Sequence, residues 1–214
     1  MRRSNPQEKA VKALQESGLN VSLTAETIER IEEFILMRSR WANTHNLSGP
    51  KAHKDPWLID VNDALALGCV LKSAHPLFDV GSGSGVPGLL LKIIRPEIEL
   101  VIVEPLAKRV AFLKTAVHKM KLDGVRVIRS RWPIGVTDKC EVVSRAVVSP
   151  KKWPSLANDS SCVCSIYRYL ALDRPTFNTP GFELAGAIDY RRSADERLRV
   201  ERWDRIVSVE SIED

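Results

Sequence analysis

The sequence predicts an α/β fold built on a mostly parallel, seven-stranded sheet. Short apolar runs typical of buried strands alternate with longer segments of helical periodicity from residue 77 onward. The first run, at residues 77–80, passes into a glycine-rich segment at 81–88 and then into an apolar helix, which is how a βαβ unit begins. The last two predicted strands, at 182–190 and 197–203, fit an antiparallel pair that closes the sheet.

Three helices are predicted ahead of the sheet, at residues 6–17, 24–41 and 55–71. Gly18 is a typical residue just past a helix end, and Thr24 is a typical N-cap. The third helix carries Asp60 and Asp63, which are three residues apart and therefore share a face. We interpret that face as a solvated helix surface.

Beyond the glycine-rich segment, strands are predicted at 99–103, 125–128, 141–143 and 162–167, and helices at 89–94, 107–122 and 151–156. The strands are short apolar runs, whereas the helix at 107–122 has an apolar stripe that includes Val110 and Leu113. Gly124 ends that helix before the next strand. This order of elements is typical of a parallel sheet joined by helical crossovers.

Length and composition limit the domain organisation. The 214 residues suit one domain with a small appendage, so we expect a helical extension at 1–74 and the main domain at 75–214. A hydrophobic content of 44% is enough for a full core. No apolar run reaches the ~20 residues of a membrane span, and the first residues lack the apolar segment of a secretory signal. We therefore expect no membrane association.

Cysteines and histidines give no sign of a metal site. No two of the cysteines form a C-x-x-C pair, and the four histidines are scattered. Cys162 and Cys164 alternate in a predicted strand, and we expect them to be reduced, buried and on one face, as in a cytoplasmic protein. The net charge of +5 permits a polyanionic partner without requiring one.

The glycine-rich segment is the strongest indication of a ligand. Residues 83–88 satisfy the dinucleotide pattern G-x-G-x-x-G, in which glycine lets a ligand approach the main chain. Asp79 precedes the first glycine, where a carboxylate could meet an ammonium group but would repel a pyrophosphate. Glu104 follows the next strand, about 20 residues past the glycines, where an acid can accept both ribose hydroxyls of an adenosine. Together these acids favour S-adenosyl-L-methionine over a dinucleotide.

Each acid also has a structural alternative, because Asp79 could cap the turn and Glu104 could lie at a helix N-terminus. In parallel sheets, ligands bind outside the carboxyl ends of the strands. Besides these two acids, the predicted strand ends carry Arg131 with Trp132, and Arg145. The expected site therefore has acids on the cofactor side and arginines opposite.

Several ordered motifs resemble the RsmG (GidB) family, which methylates guanine N7 in small-subunit ribosomal RNA. The residues that carry this resemblance are Trp41 to Ser48, Asp79 to Gly88, Arg95-Pro96, Lys108 to Leu113, Ser130-Arg131 and Ser144-Arg145-Ala146. The resemblance implies a Rossmann-like, class I S-adenosylmethionine-dependent methyltransferase. It also implies a cytoplasmic enzyme whose partner is ribosomal RNA or the small ribosomal subunit, and we expect a monomer.

Three segments depart from the family pattern. Asp60-Val61-Asn62-Asp63-Ala64 replaces H-x-x-D-S, and Trp132-Pro133 replaces V-E. The Lys-Gly pair after the fifth strand is absent, and Tyr167-Arg168 stands near that position. These departures leave two alternatives open: a methyltransferase for a small molecule, and a cofactor-binding but catalytically idle RNA-associated protein.

The resemblance and the residues together define the expected site. By resemblance, the cofactor is lined by Gly81, Val86, Trp132, Pro133 and Arg145. The glycine-rich segment and its two flanking acids add Asp79, Gly83, Gly85 and Glu104. The same assignment includes no metal.

Guanine N7 carries an in-plane lone pair, so its methylation requires no general base, and positioning would supply most of the catalysis. We assign Arg145 and Arg131 to hold the guanine or a phosphate, because arginine donates bidentately to both. The alternative for each is a structural salt bridge, with Asp63 or Glu141 as partner. A tryptophan, Trp41 or Trp132, could stack on a base or belong to the core.

Overall fold

The computed structural model describes residues 5–45, 55–145, 149, 151–158, 160–174 and 177–206, with the side chains of 43–45 excepted. Within these ranges the chain forms one sheet with helices packed on its faces. Three motif residues, Asn46 to Ser48, and Ala146 lie outside the described residues.

The sheet has seven strands in the order β3-β2-β1-β4-β5-β7-β6. Its strands are β1 (Leu77–Val80), β2 (Leu100–Val103), β3 (Val125–Ile128), β4 (Cys140–Ser144), β5 (Val163–Ala171), β6 (Phe182–Arg191) and β7 (Arg197–Arg205). The first five are parallel, and β7 runs antiparallel to both β5 and β6. The predicted fold class is thus confirmed. Strand β5 extends four residues past the predicted end because it pairs with β7 as far as Ala171.

The helices also follow the predicted order. They are α1 (Pro6–Ser17), α2 (Ala25–His45), a π-helical turn (Trp57–Val61) continuing into α3 (Asn62–Val70), α4 (Gly88–Ile94), α5 (Ala107–Lys119) and α6 (Trp153–Ala157). Gly18 adopts a left-handed conformation with φ of 72° and ends α1, as the sequence predicts. The Thr24 hydroxyl accepts from the Thr27 amide across 3.2 Å and caps α2.

Two apolar clusters cover the two faces of the sheet. The larger one contains Ile31 and Phe34 of α2 together with Leu89 of α4 and Phe112 of α5. The N-terminal helices therefore share a core with the helices that cross over the parallel strands. The division of the chain at residue 74 stays a prediction. The second cluster is rich in tryptophan and contains Trp132, Trp153 and Trp203.

Cysteine burial differs in part from the prediction. Cys140 is buried and Cys69 is exposed, whereas Cys162 and Cys164 are only partly buried. The expectation of a buried pair is wrong because Cys162 lies before β5 begins, at the margin of the sheet. All four are free thiols. Among the described residues, no helix is long and apolar enough to span a membrane, and no cluster of His, Cys, Asp or Glu is arranged to bind a metal.

Candidate functional site at the carboxyl ends of the parallel strands

The glycine-rich segment forms a tight turn between β1 and α4. Gly81, Gly83 and Gly85 have φ values of 70°, 62° and 86°, a left-handed region that other residues rarely adopt. The turn is joined to the sheet because the Gly81 amide donates to the Val103 carbonyl of β2 across 2.7 Å. The Val86 side chain is buried in the core. The structure therefore brings this segment to the carboxyl ends of β1 and β2.

Asp79 lies buried beneath the turn. Its Oδ2 atom accepts from the Ser82 hydroxyl across 2.6 Å and from the Gly88 amide across 3.0 Å. A Cβ atom on Gly88 would lie 2.5 Å from Oδ2, so this approach requires a glycine. The second oxygen, Oδ1, is buried and accepts no hydrogen bond from the described residues. Asp79 thus caps the turn and still has one unsatisfied oxygen.

The environment of Asp79 opposes its ionisation. Burial raises the pKa of Asp79 to about 6, although hydrogen bonds from Ser82 and Gly88 and the charge of Arg145 act in the opposite direction. An added positive charge near the turn would therefore stabilise the carboxylate.

Glu104 is the second acid, and it closes the turn from the end of β2. Its Oε2 atom accepts from the Gly83 amide across 2.9 Å, and Oε1 accepts from the Leu106 amide across 3.0 Å at the start of α5. The side chain is 1% exposed, and a guanidinium nitrogen of Arg109 lies 3.9 Å from Oε1. Each carboxylate oxygen has two lone pairs, so Glu104 has acceptor capacity left for hydroxyl groups. Glu104 therefore accepts hydrogen bonds both from the glycine turn and from the residue just before α5.

Arg145 follows β4, and its guanidinium forms ion pairs with two aspartates. Its Nη1 atom donates to Asp63 Oδ2 across 2.7 Å and to Asp60 Oδ1 across 2.8 Å. The salt bridge with Asp63, which was the structural alternative for Arg145, is therefore present. Glu141 instead accepts from the amides of Ala74 and His75 and from the Tyr167 hydroxyl. The Arg145 side chain nevertheless keeps 21% of its surface exposed.

Asp60 and Asp63 are the centre of a buried charge cluster, which we call the arginine–aspartate cluster (Arg38, Asp60, Asp63, Arg145 and Arg192). Arg38 donates to Asp60 across 2.5 Å, and Arg192 donates to both oxygens of Asp63 across 2.7 and 2.6 Å. Both aspartates are at most 1% exposed, so the interpretation of their helix face as solvated is wrong. The fold provides three guanidinium groups that make their burial possible.

Neighbouring charges determine the direction in which the pKa values of Asp63 and Arg145 shift. Burial alone would raise the pKa of Asp63, but the charges of Arg192 and Arg145 outweigh it and hold that pKa below its usual range. Burial would lower the pKa of Arg145, yet Asp63 and Asp60 raise it. Three guanidinium groups therefore face the two aspartates, and Arg192 also pairs with Glu196 across 3.1 Å.

The remaining predicted site residues are more dispersed. Arg131 and Pro133 are exposed beyond the end of β3. Trp132 belongs to the core: its ring packs edge-on against Phe78 at a centroid distance of 5.9 Å, and its indole N–H donates to the Leu156 carbonyl. Its side chain is thus not available to stack on a base. Trp41 packs against Phe112 at 5.6 Å, which also places its ring in an aromatic cluster.

Tyr167 and Arg168, near the position of the absent Lys-Gly pair, are buried within β5 and not at its end. The Arg168 guanidinium lies 4.4 Å from the ring centroids of both Phe177 and Trp203 and donates to Glu201 across 2.7 Å. It therefore has a structural role in the sheet.

The sequence alone does not indicate that four residues lie near the site, namely Asp60, Arg38, Arg192 and Arg109. Arg192 is distant in sequence from both the glycine turn and α3, so no local pattern indicates it. Arg109 could have been found, because it is two residues into the helix that follows Glu104.

Comparison with known proteins agrees with the motifs. The family model GidB, described as rRNA small subunit methyltransferase G, matches residues 27–160. The chain is 29% identical over 115 residues to ribosomal RNA small subunit methyltransferase G of Dichelobacter nodosus, covering 54% of each chain. It is 34% identical over 116 residues to the protein of the same name from Desulfotalea psychrophila, covering 53% of each. The matched region thus spans about half the length of these curated relatives.

Solved structures share the fold at low identity. M. capricolum TrmK in complex with S-adenosyl-homocysteine has a TM-score of 0.51 at 11% identity, covering 66% of this chain and 67% of that one. A mutant of MtNAS in complex with S-adenosylmethionine has a TM-score of 0.52 at 16% identity, covering 93% and 84%. Both show that the architecture is the Rossmann-like one predicted from the sequence.

Proposed function

This chain belongs to the rRNA small subunit methyltransferase G family, and from that membership we propose that it methylates guanine N7 in 16S ribosomal RNA, using S-adenosyl-L-methionine. The observation that carries the proposal is the glycine turn at the carboxyl ends of β1 and β2, held between Asp79 and Glu104. An acid on each side of such a turn fits an adenosine that carries an ammonium group better than a pyrophosphate.

The residues of the turn fit this cofactor. The buried, unsatisfied Oδ1 atom of Asp79 is where an ammonium group would offset the charge that burial disfavours. Glu104 would accept from the ribose hydroxyls, and Gly81, Gly83 and Gly85 would let the cofactor approach the backbone. Val86, Trp132 and Pro133 would contribute backbone atoms beside it, since two of these side chains belong to the core. The bound cofactor supplies an electrophilic methyl group.

The protein's own part in the reaction is positioning. Guanine N7 has a lone pair in the ring plane, so no proton has to be removed before the transfer, and the site needs no general base. Arg145 uses only Nη1 in its ion pairs, and its Nε and Nη2 atoms donate to none of the described residues. These two donors would hold a guanine edge or a phosphate bidentately. Arg131, exposed after β3, would contact the RNA farther from the reacting atom.

The expected partner is ribosomal RNA or the small ribosomal subunit. The net charge of +5 and the exposed basic residues Arg131, Lys151 and Lys152 support binding to a polyanion. We also propose that the protein is a cytoplasmic monomer that uses no metal.

Transfer of a labelled methyl group tests the proposal directly. The protein is incubated with labelled S-adenosyl-L-methionine and, separately, with small ribosomal subunits, naked 16S RNA and a metabolite extract. We expect label in RNA, recovered as 7-methylguanosine after nuclease digestion. Label in a small molecule would instead show a small-molecule methyltransferase. Cofactor binding by calorimetry without any transfer would favour the catalytically idle RNA-associated protein.

Gly83→Val supplies the negative control for the cofactor site, with Gly135→Ala as the matched control. Gly83 has a left-handed conformation beside Arg109, whereas a Cβ atom on Gly135 would meet nothing within 4 Å. We expect Gly83→Val to abolish cofactor binding and Gly135→Ala to leave it unchanged. Unchanged affinity in a folded Gly83→Val protein would contradict the assignment of this turn.

A further inference from the structure

Arg192 lies just past β6, in the turn of the C-terminal hairpin, and outside the region that the family model matches. It nevertheless reaches the site, because its guanidinium binds Asp63 of α3. Nε donates to Asp63 Oδ1 across 2.7 Å, Nη2 donates to Oδ2 across 2.6 Å, and Nη1 donates to Glu196 across 3.1 Å. All three nitrogens of Arg192 are therefore occupied, and the residue is held in one orientation.

The contacts of Asp63 limit those of Arg145. Asp63 Oδ1 accepts from Arg192 and from the Tyr190 hydroxyl, and Oδ2 accepts from Arg192 and from Arg145. A carboxylate oxygen accepts two hydrogen bonds well, so Asp63 is saturated. Asp63 therefore has no acceptor site left for a second nitrogen of Arg145, which contacts it through Nη1 alone.

Loss of Arg192 would change this arrangement. Arginine and a free carboxylate prefer two parallel hydrogen bonds. With one acceptor site on Oδ1 released, Arg145 would turn a second nitrogen toward Asp63, and that nitrogen would no longer be available to a ligand. The arginine–aspartate cluster would also lose one of its three guanidinium groups.

We propose that Arg192 is a positioning residue that occupies Asp63 and thereby keeps the Nε and Nη2 donors of Arg145 directed to the methyl acceptor. The inference rests on the proposed function for its consequence in catalysis. Its structural part, the orientation of Arg145, stands on the contacts alone. The C-terminal hairpin thus contributes to the site although it lies outside the family match.

Two substitutions at Arg192 separate positioning from stability. Arg192→Met removes both the charge and the pair of donors, Nε and Nη2, that bind the two oxygens of Asp63. Arg192→Lys keeps the charge but reaches only one of these oxygens. The matched control is Arg199→Met, since Arg199 of the same hairpin forms a fork with Asp189 across 2.6 and 3.1 Å on an exposed surface. We expect Arg192→Lys to retain the melting temperature of the parent and Arg192→Met to lower it.

The measurements are the single-turnover rate of methyl transfer to small ribosomal subunits per folded molecule and the Kd for S-adenosyl-L-methionine. Both Arg192 variants should lose on the order of 100-fold in rate, as expected for a misplaced contact group, with Kd unchanged. Arg199→Met should transfer methyl groups as the parent does. If Arg192→Lys restores both stability and rate, Arg192 is merely structural and the inference is overturned.

The orientation of Arg145 can be observed without activity. The side-chain Nε–Hε signal of Arg145, assigned in ¹⁵N–¹H spectra by its absence in Arg145→Lys, should shift in both Arg192 variants and stay in place in Arg199→Met. If the parent transfers no methyl group to any RNA while this signal shifts, the proposed function fails and the positioning of Arg145 by Arg192 stands. An unmoved signal in both Arg192 variants overturns the inference whatever the activity.

Discussion

Glu104 accepts a hydrogen bond from the Gly83 amide across 2.9 Å while it accepts another from the Leu106 amide across 3.0 Å. One side chain therefore joins the glycine turn that follows β1 to the beginning of α5. The carboxylate is almost fully buried, and both of its oxygens are used by the protein itself. The shape of the turn and the position of this acid are consequently coupled.

Glu104→Gln tests this coupling. Glutamine offers one acceptor oxygen in place of two, so either Gly83 or Leu106 keeps an unsatisfied amide, at a cost of about 1–3 kcal/mol in the free energy of unfolding. We expect weaker binding of S-adenosyl-L-methionine as well, by about 1–3 kcal/mol, because a charge-assisted bond to the ribose is replaced. Denaturant unfolding and calorimetry measure the two effects. A stability loss with unchanged cofactor affinity would leave Glu104 with a structural role alone.

Gly88→Ala tests the close packing of the helix start on Asp79. The new Cβ atom would lie 2.5 Å from Asp79 Oδ2, so the helix or the acid must shift. Overpacking of this kind costs about 1–3 kcal/mol. Gly135→Ala is the control: its Cβ meets nothing within 4 Å, and we expect a gain of about 0.4–1 kcal/mol from reduced unfolded-state entropy. Equal melting temperatures for the two variants would contradict the packing described for Gly88.

The raised pKa of Asp79 predicts that the free energy of unfolding decreases as the pH rises. Its pKa in the folded protein is raised to about 6 from an ordinary value of 3.8, so the fold favours the protonated acid. As pH rises from about 4 to above 6, the unfolded chain loses this proton first and the folded state is destabilised. The shift corresponds to about 3 kcal/mol, all of it lost above the folded-state pKa.

Asp79→Asn isolates that effect from other titrations. Asparagine resembles the protonated acid, so the stability difference between parent and variant should favour the variant increasingly as pH rises from 4.5 toward 8. Denaturant unfolding at several pH values measures the difference. A difference that is constant with pH would show that Asp79 is already ionised at low pH. With S-adenosyl-L-methionine present, the parent should gain affinity as pH rises through about 6, because the ammonium group prefers the carboxylate.

The sequence predicts those parts of the site whose residues lie a short distance apart along the chain. Asp79 lies near the end of β1, the glycines follow that strand and Glu104 follows β2, and parallel pairing brings these strand ends together without further information. Asp60 of the π-helical turn and Asp63 of α3 have surroundings that the sequence does not predict. A pair of acids three residues apart is usually solvated, and only the fold brings Arg38, Arg145 and Arg192 around them. The core position of Trp132 is also not predicted by the sequence, because it depends on Phe78 and Leu156, which lie on other elements.

Arg168 of β5 gives a prediction about the sheet and not the site. It is 1% exposed, lies between Phe177 and Trp203, and forms an ion pair with the buried Glu201. Arg168→Met removes one member of a buried ion pair, and we expect a loss of about 3–5 kcal/mol in the free energy of unfolding. The exposed pair broken by Arg199→Met should cost only about 0–1 kcal/mol. Comparable losses in thermal unfolding would contradict the burial of the Arg168 pair.

Arg145→Lys asks whether this residue acts on the methyl acceptor or only stabilises the fold. A lysine ammonium can replace Nη1 between Asp60 and Asp63, so the charge balance of the cluster is retained. It cannot replace the planar fork formed by Nε and Nη2, which a guanine edge or phosphate requires. We therefore expect a small change in melting temperature and a loss on the order of 100-fold in single-turnover methyl transfer to small ribosomal subunits. Arg38→Lys is the matched control, because Arg38 pairs with the same Asp60 but its side chain is 3% exposed, compared with 21% for Arg145. A variant Arg145→Lys that melts early and keeps its turnover per folded molecule would make Arg145 a structural salt-bridge residue, since only the ion pairs would then depend on its guanidinium.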